Sequence, residues 1–263
     1  GGLDVTDADL VVGTSAGATA AAQIGGASPA ELLAAILDAP PLRRTAPGPS
    51  VGRKGPWMDH LERTNAIIAA SDDLADMRRR SGADALDLAA EAGAEGRARW
   101  HDTVRARLPS QHWPERRTVL TAVDADTGEP VELDRESGGD LVDAVAASCA
   151  GGPAYRIGDR HYIDGGYRRS SENADLASGY ERVLVLSPLG GRTRHPPEWS
   201  SDLAAQSDEL RAGGSRVETI LPDTDSLTAF GDNMMSPGTR PPAARAGHAQ
   251  GRRLAGQLLD FWS

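Results

Sequence analysis

The sequence predicts an α/β fold with a mostly parallel sheet covered by helices on both faces. Short apolar, β-branched runs recur along the chain, at Asp9 to Gly13, Thr118 to Val123 and Arg182 to Leu186. Alanine-rich or capped segments with helical character separate them, and such alternation favours parallel pairing through crossovers. The 263 residues, 39% hydrophobic and 25% charged, are ordinary globular usage and can bury a large core without covalent staples. The chain reads as one domain, residues 1–263. Residues 40–115 form a helical insertion, a cap or an outer layer, ahead of the later strands.

The elements follow in order. Asp9 to Gly13 (DLVVG) is a buried strand, and Ala16 to Ile24 a helix stopped by Gly25-Gly26. Ser28-Pro29-Ala30-Glu31 is a capping box with Pro at the first helical position, opening a helix through Asp38. Ala39 to Pro56, rich in Pro, Gly and Arg, is a loop. Trp57 to Arg107 is helical, with breaks near Ser81-Gly82 and Gly93 to Gly96. Thr118 to Val123 is a strand, Asp126-Thr127-Gly128 a turn and Pro130 to Asp134 an edge strand. Leu141 to Ala150 is a helix, and Tyr155 to Ile163 a tight hairpin about Gly158-Asp159. Arg182 to Leu186 and Arg216 to Leu221 are the last strands, and Pro241 to Trp262 the closing helix.

A formal net charge of −10 and a pI near 5.1 disfavour nucleic acid as a partner. Transient contact with a membrane surface through apolar loops stays open. The single cysteine, Cys149, rules out an intrachain disulfide and fits a reducing, cytoplasmic setting. The uncharged stretch Leu10 to Ala27 carries Thr14, Ser15, Thr19, Gln23 and glycines, too polar for a spanning helix. Arg78-Arg79-Arg80 reads as a solvated helix end, and Met234-Met235 as core or loop filler, with an acyl pocket as the alternative. Trp57, Trp100 and Trp113 fit packing against the sheet or a lid.

Two motifs carry chemistry. Gly13-Thr14-Ser15-Ala16-Gly17 matches G-x-S-x-G between a strand and a helix. At so sharp a turn the serine is strained with its hydroxyl exposed, and the helix N-terminus favours developing negative charge. Ala16 N–H is the natural oxyanion donor, and Gly13 and Gly17 let backbone pass closely. Asp164-Gly165-Gly166 ends an apolar strand; Gly165 and Gly166 clear space beside a carboxylate that can take the serine proton. The histidines His60, His101, His112, His161, His195 and His248 stand in no evident signature.

Together these segments resemble the patatin-like phospholipase family. GTSAGA at Gly13 to Ala18 resembles its nucleophile elbow, and IDGG at Ile163 to Gly166 its aspartate motif, about 150 residues later. Ala147-Ser148-Cys149-Ala150, Glu172 to Ala177 and RVLVLSP resemble its intervening and following segments. The resemblance implies a three-layer α/β/α fold and a Ser15–Asp164 dyad without histidine. It also implies hydrolysis of lipid acyl esters through an acyl-enzyme, with no metal and no cofactor. One departure stands out: the family carries a glycine-rich oxyanion loop upstream of the elbow, and only 12 residues precede Gly13. A first strand and its loop are expected to belong ahead of Gly1. Two rival readings remain: a Ser15–Asp164 triad completed by His195 or His248 in an α/β-hydrolase-type esterase, and a non-catalytic lipid-binding or interaction module.

Overall fold

The computed structural model describes residues 4–39, 56–231 and 236–262. The protein is mixed α/β, with seven strands and eight α-helices among these residues. In chain order these are β1 (Leu10–Gly13), α1 (Ala16–Gly26), α2 (Pro29–Leu37), α3 (Pro56–Ala69), α4 (Leu74–Arg105), β2 (Arg117–Asp124) and β3 (Pro130–Leu133). Then come α5 (Leu141–Ser148), β4 (Tyr155–Ile157), β5 (Arg160–Asp164), β6 (Arg182–Leu186), α6 (Leu203–Ala212), β7 (Arg216–Ile220), α7 (Thr224–Phe230) and α8 (Arg240–Trp262).

β2 is the hub of the larger sheet. Leu120 pairs with Gly13 of β1 on one side and Leu133 of β3 on the other. Ala122 pairs with Asp164 of β5 and Val131 of β3. A strand has two edges, so β1 and β5 must share the edge opposite β3. β1 runs parallel to β2 and β5 antiparallel, so their C-terminal ends point at each other with only Thr121 between their registers.

The larger sheet is therefore mixed, not mostly parallel. Its one parallel pairing among the described residues is β1 with β2; β2–β3, β2–β5 and β4–β5 are antiparallel. The cause is local. The turns at Asp126-Thr127-Gly128 and Gly158-Asp159 are too short for a crossover and return the chain beside itself. β6 and β7 form a separate parallel pair, with Val183 and Val185 buried against α6 and Leu186 left exposed.

Alternating side chains of the hub strand feed two apolar clusters. Leu120, Ala122 and Tyr162 join Ala18, Ala21 and Ala22 of α1 and the buried face of α5. Val123, Ala125 and Ile163 join Ala85 of α4. Trp100 and Trp113 pack on the first cluster, and their indole N–H groups donate to the carbonyls of Ala146 (3.0 Å) and Gly139 (2.9 Å). Both are packing residues with satisfied polar tips.

Most element ends follow their local signals. The Ser28–Glu31 capping box is formed. Aspartates Asp73, Asp140, Asp202 and Asp223 each accept a backbone N–H three residues on, so part of the acidic excess caps helices. α6 and α7 open on two of these caps, a signal that the strand-and-helix alternation obscured. α1 continues through Gly25 and Gly26. The expected break at Ser81-Gly82 is absent, and the interruption lies instead between α3 and α4. Gly82 meets another demand: a Cβ there would collide with the Ala125 carbonyl, so α4 approaches the end of β2 backbone to backbone. At Gly93 the backbone leaves the helical region, with φ 63°. Arg78 is not solvated: its guanidinium donates to the carbonyls of Gly128 (2.7 Å) and Arg168 (3.1 Å). Arg79 and Arg80 pair with Asp76 at the surface.

Most of the expected 39–56 loop, and Met234 and Met235, lie outside the described residues. Among those described, no single helix is long and apolar enough to cross a membrane; α1 and α2 reach the length only as a pair bent by 114°.

Replacing Gly82 by alanine must push α4 off the sheet. We expect Gly82→Ala to cost about 1–3 kcal/mol, read as a lower urea midpoint with unchanged m-value. A midpoint equal to wild type would show that this approach has slack.

Candidate active site

Ser15 sits between β1 and α1 with φ 52° and ψ −117°, a region that side chains other than glycine rarely enter. Gly13 makes the turn sterically possible: a Cβ there would lie 2.7 Å from Ala18 Cα and 2.8 Å from the Gly17 carbonyl oxygen. Gly17 itself faces open space. Ser15 is partly exposed and Ala16 and Gly17 are exposed, so the elbow opens outward.

Asp164 ends β5 and turns into the short 3-10 helix Gly165–Tyr167. Gly165 rides on the backbone and hydroxyl of Thr121, where any Cβ would overlap them. Gly166 N–H donates to Asp164 Oδ1 (2.8 Å), which fixes the carboxylate and leaves Oδ2 facing Ser15. Ser15 Oγ donates to that oxygen at 2.6 Å, across 149 residues of sequence. A hydroxyl-to-carboxylate bond this short is charge-assisted.

Below the pair lies a polar knot without a local sequence signal. Thr121 Oγ1 donates to Thr14 Oγ1 (2.9 Å). Asn173 Nδ2 lies within reach of Thr14 Oγ1 (3.0 Å), the Gly165 carbonyl (2.9 Å) and Thr121 Oγ1 (3.4 Å). Thr121 and Asn173 are fully buried. Asn173 adopts φ 48°, and its Oδ1 accepts from Arg168 (3.3 Å), whose guanidinium also forks onto Asp175. The knot joins the residue before Ser15, the residue after Asp164 and the hub strand, so both halves of the pair rest on one buried support.

The histidines make other contacts. His195 Nδ1 lies 2.9 Å from Ser201 Oγ and its ring packs against Trp199; burial, then Arg194, lowers its pKa to about 4, so the ring is neutral at pH 7. The cleft beside it, about 570 Å3, is lined by Arg192, Asp202 and Arg211, and not by Ser15 or Asp164. His248 of α8 lines a groove against Pro29, Leu33 and Leu37 of α2. His161 meets Asp126 at 3.3 Å. His101, Asp140 and Asp143 could bring one metal-ligand atom each within 4.8 Å of one another. Asp140 is already the cap of α5, however, and Asp143 accepts the Tyr155 hydroxyl at 2.5 Å.

No protein-family model matches the chain, and a search of curated proteins returns no match.

Burial raises the Asp164 pKa from 3.8 to about 6, against the opposing effect of the Ser15 and Gly166 hydrogen bonds. A carboxyl that holds its proton more tightly when folded costs stability as pH rises from about 4 to about 6. Above that window the folded state carries the whole penalty of a desolvated charge. Asp164→Asn keeps the shape and removes the charge. The variant is expected to melt higher than wild type above pH 6, with the gap closing toward pH 4. Melting temperatures measured across that range check it; a gap independent of pH would contradict the desolvated carboxylate.

Proposed function

We propose that the protein is a serine acyl hydrolase of the patatin-like type, acting on lipid or phospholipid acyl esters through a Ser15–Asp164 dyad. The observation that carries this is the 2.6 Å hydrogen bond from the strained, partly exposed Ser15 hydroxyl to the Asp164 carboxylate. Supporting it are helices on the two faces of a sheet that ends in the elbow, in keeping with a three-layer α/β/α arrangement, and the motif resemblance at GTSAGA and IDGG. Substrate preference is read from the resemblance. No nucleic acid or cofactor has a role in this chemistry.

Asp164 Oδ2 accepts the Ser15 proton as Oγ attacks the ester carbonyl. The carbonyl oxygen gains negative charge beside the first turn of α1, where N–H groups lack helical partners. Gly17 N–H is already given to the Thr14 carbonyl (2.7 Å) and Ala18 N–H to that of Ser15 (2.9 Å). Ala16 N–H is therefore the elbow's donor for the oxyanion. Collapse of the tetrahedral intermediate hands the Asp164 proton to the leaving alcohol. Water then attacks the acyl-serine as Asp164 takes its proton; the acyl–Oγ bond breaks, the acid leaves and the proton returns to Ser15 Oγ.

The base must be ionised, so turnover of a short-chain ester is expected to fall as pH drops through about 6, following the Asp164 pKa. Ser15→Ala and Asp164→Asn are each expected to lower kcat/KM by about 10³-fold or more, and Ser15→Ala to abolish labelling by a fluorophosphonate. His195→Ala and His248→Ala are expected to stay within about twofold of wild type. Undiminished labelling of Ser15→Ala overturns the assignment, and a large loss at either histidine favours the triad. A folded wild-type chain that never labels favours a non-catalytic module.

A further inference from the structure

The peptide groups on both sides of Ser15 are held by a short stretch at the end of α5. Ser15 N–H donates to Ser148 Oγ at 3.0 Å. The Cys149 thiol donates to the Ser15 carbonyl at 2.9 Å, with Thr19 Oγ1 3.6 Å from the same sulfur. The carbonyl of the next residue, Ala150, accepts Asp164 N–H at 3.0 Å. Three consecutive residues thus grip the serine from two directions and its partner from a third.

We infer that Ser148–Ala150 is a positioning device for the dyad, with Ser148 as its principal residue. This rests on Ser15 being the nucleophile. A serine at φ 52° relaxes unless its surroundings over-determine it. Its N–H precedes the helix and has Ser148 Oγ as acceptor, whereas its carbonyl also takes the N–H groups of Ala18 (2.9 Å) and Thr19 (3.3 Å). Ser148 therefore sets the turn, and the thiol adjusts the carbonyl direction. The support is rigid: Ser148 is 0% exposed and Leu141, Val145, Ala146 and Ala147 of the same helix are fully buried. Burial and the Asp164 charge push the Cys149 thiol up to about 12, so it keeps the proton it donates. Ser148 also occupies the Ser15 N–H, so that group does not serve the oxyanion.

Positioning predicts a loss of rate without a loss of substrate binding. Ser148→Ala is expected to slow fluorophosphonate labelling and kcat by about 10-fold, with KM unchanged. Cys149→Ala should slow both by about threefold, and Cys149→Ser, which restores a donor, should match wild type. Wild-type rates in Ser148→Ala, with Ser15→Ala still unlabelled, overturn the device and leave the dyad standing. A rate loss that only tracks the unfolded fraction, recovering fully on cooling, also overturns it. If Ser148→Ala does not fold, the Cys149 pair decides: slowing by alanine but not by serine supports the device, and equal rates in both refute it. Labelling that survives Ser15→Ala removes the dyad itself.

Discussion

Two strands arriving from opposite directions on one edge of β2 create the site. β1 and β5 both need that edge, and neither can pass the other, so their ends are forced together at Thr121. A strand end is where the chain leaves the ladder and its polar groups need new partners. Here the two departures are adjacent, one turning into α1 through Ser15 and the other into a 3-10 turn through Asp164. The hydroxyl and carboxylate meet because two backbones have run out of sheet at the same place.

That meeting needs filling, and the chain fills it with small polar residues. Thr14, Thr121 and Asn173 share their hydrogen bonds in a buried triangle, while Gly13 and Gly165 let backbone approach where a Cβ would collide. The support is buried, and the hydroxyl and carboxylate above it are only partly covered. Stability is given up at one point: the carboxylate is held in surroundings that favour its protonated form. The desolvation that costs stability also makes the carboxylate hold a proton more tightly.

Much of this was legible in the sequence, and the parts that were not share a cause. The elbow, the aspartate turn, the Ser28 capping box and the hairpin about Gly158 are written in residues adjacent along the chain, so local rules reach them. Sheet direction departs from the alternation of strands and helices because two short turns dictate antiparallel return for β2–β3 and β4–β5, while β2–β5 pairing is set by segments distant along the chain. Ser81-Gly82 departs from local rules for a related reason: glycine there serves close tertiary packing and does not break the helix. Thr121 carries no local mark, and Ser148 and Asn173 lie in segments marked only by resemblance, with nothing local to show what they hold. Each is an ordinary polar residue whose role exists only once a distant segment lies against it. His195, whose position in the chain suited a triad, is turned toward Ser201.

The separation of 149 residues between Ser15 and Asp164 has a consequence for when the site comes into being. During synthesis the elbow emerges while β2, the end of α5 and β5 are still to be made. Contacts so distant along the chain form late, after much loop entropy has been lost. A chain that stops short of β5 therefore displays Ser15 without the contact from Asp164. The pairing of hydroxyl and carboxylate is thus a property of the completed fold alone.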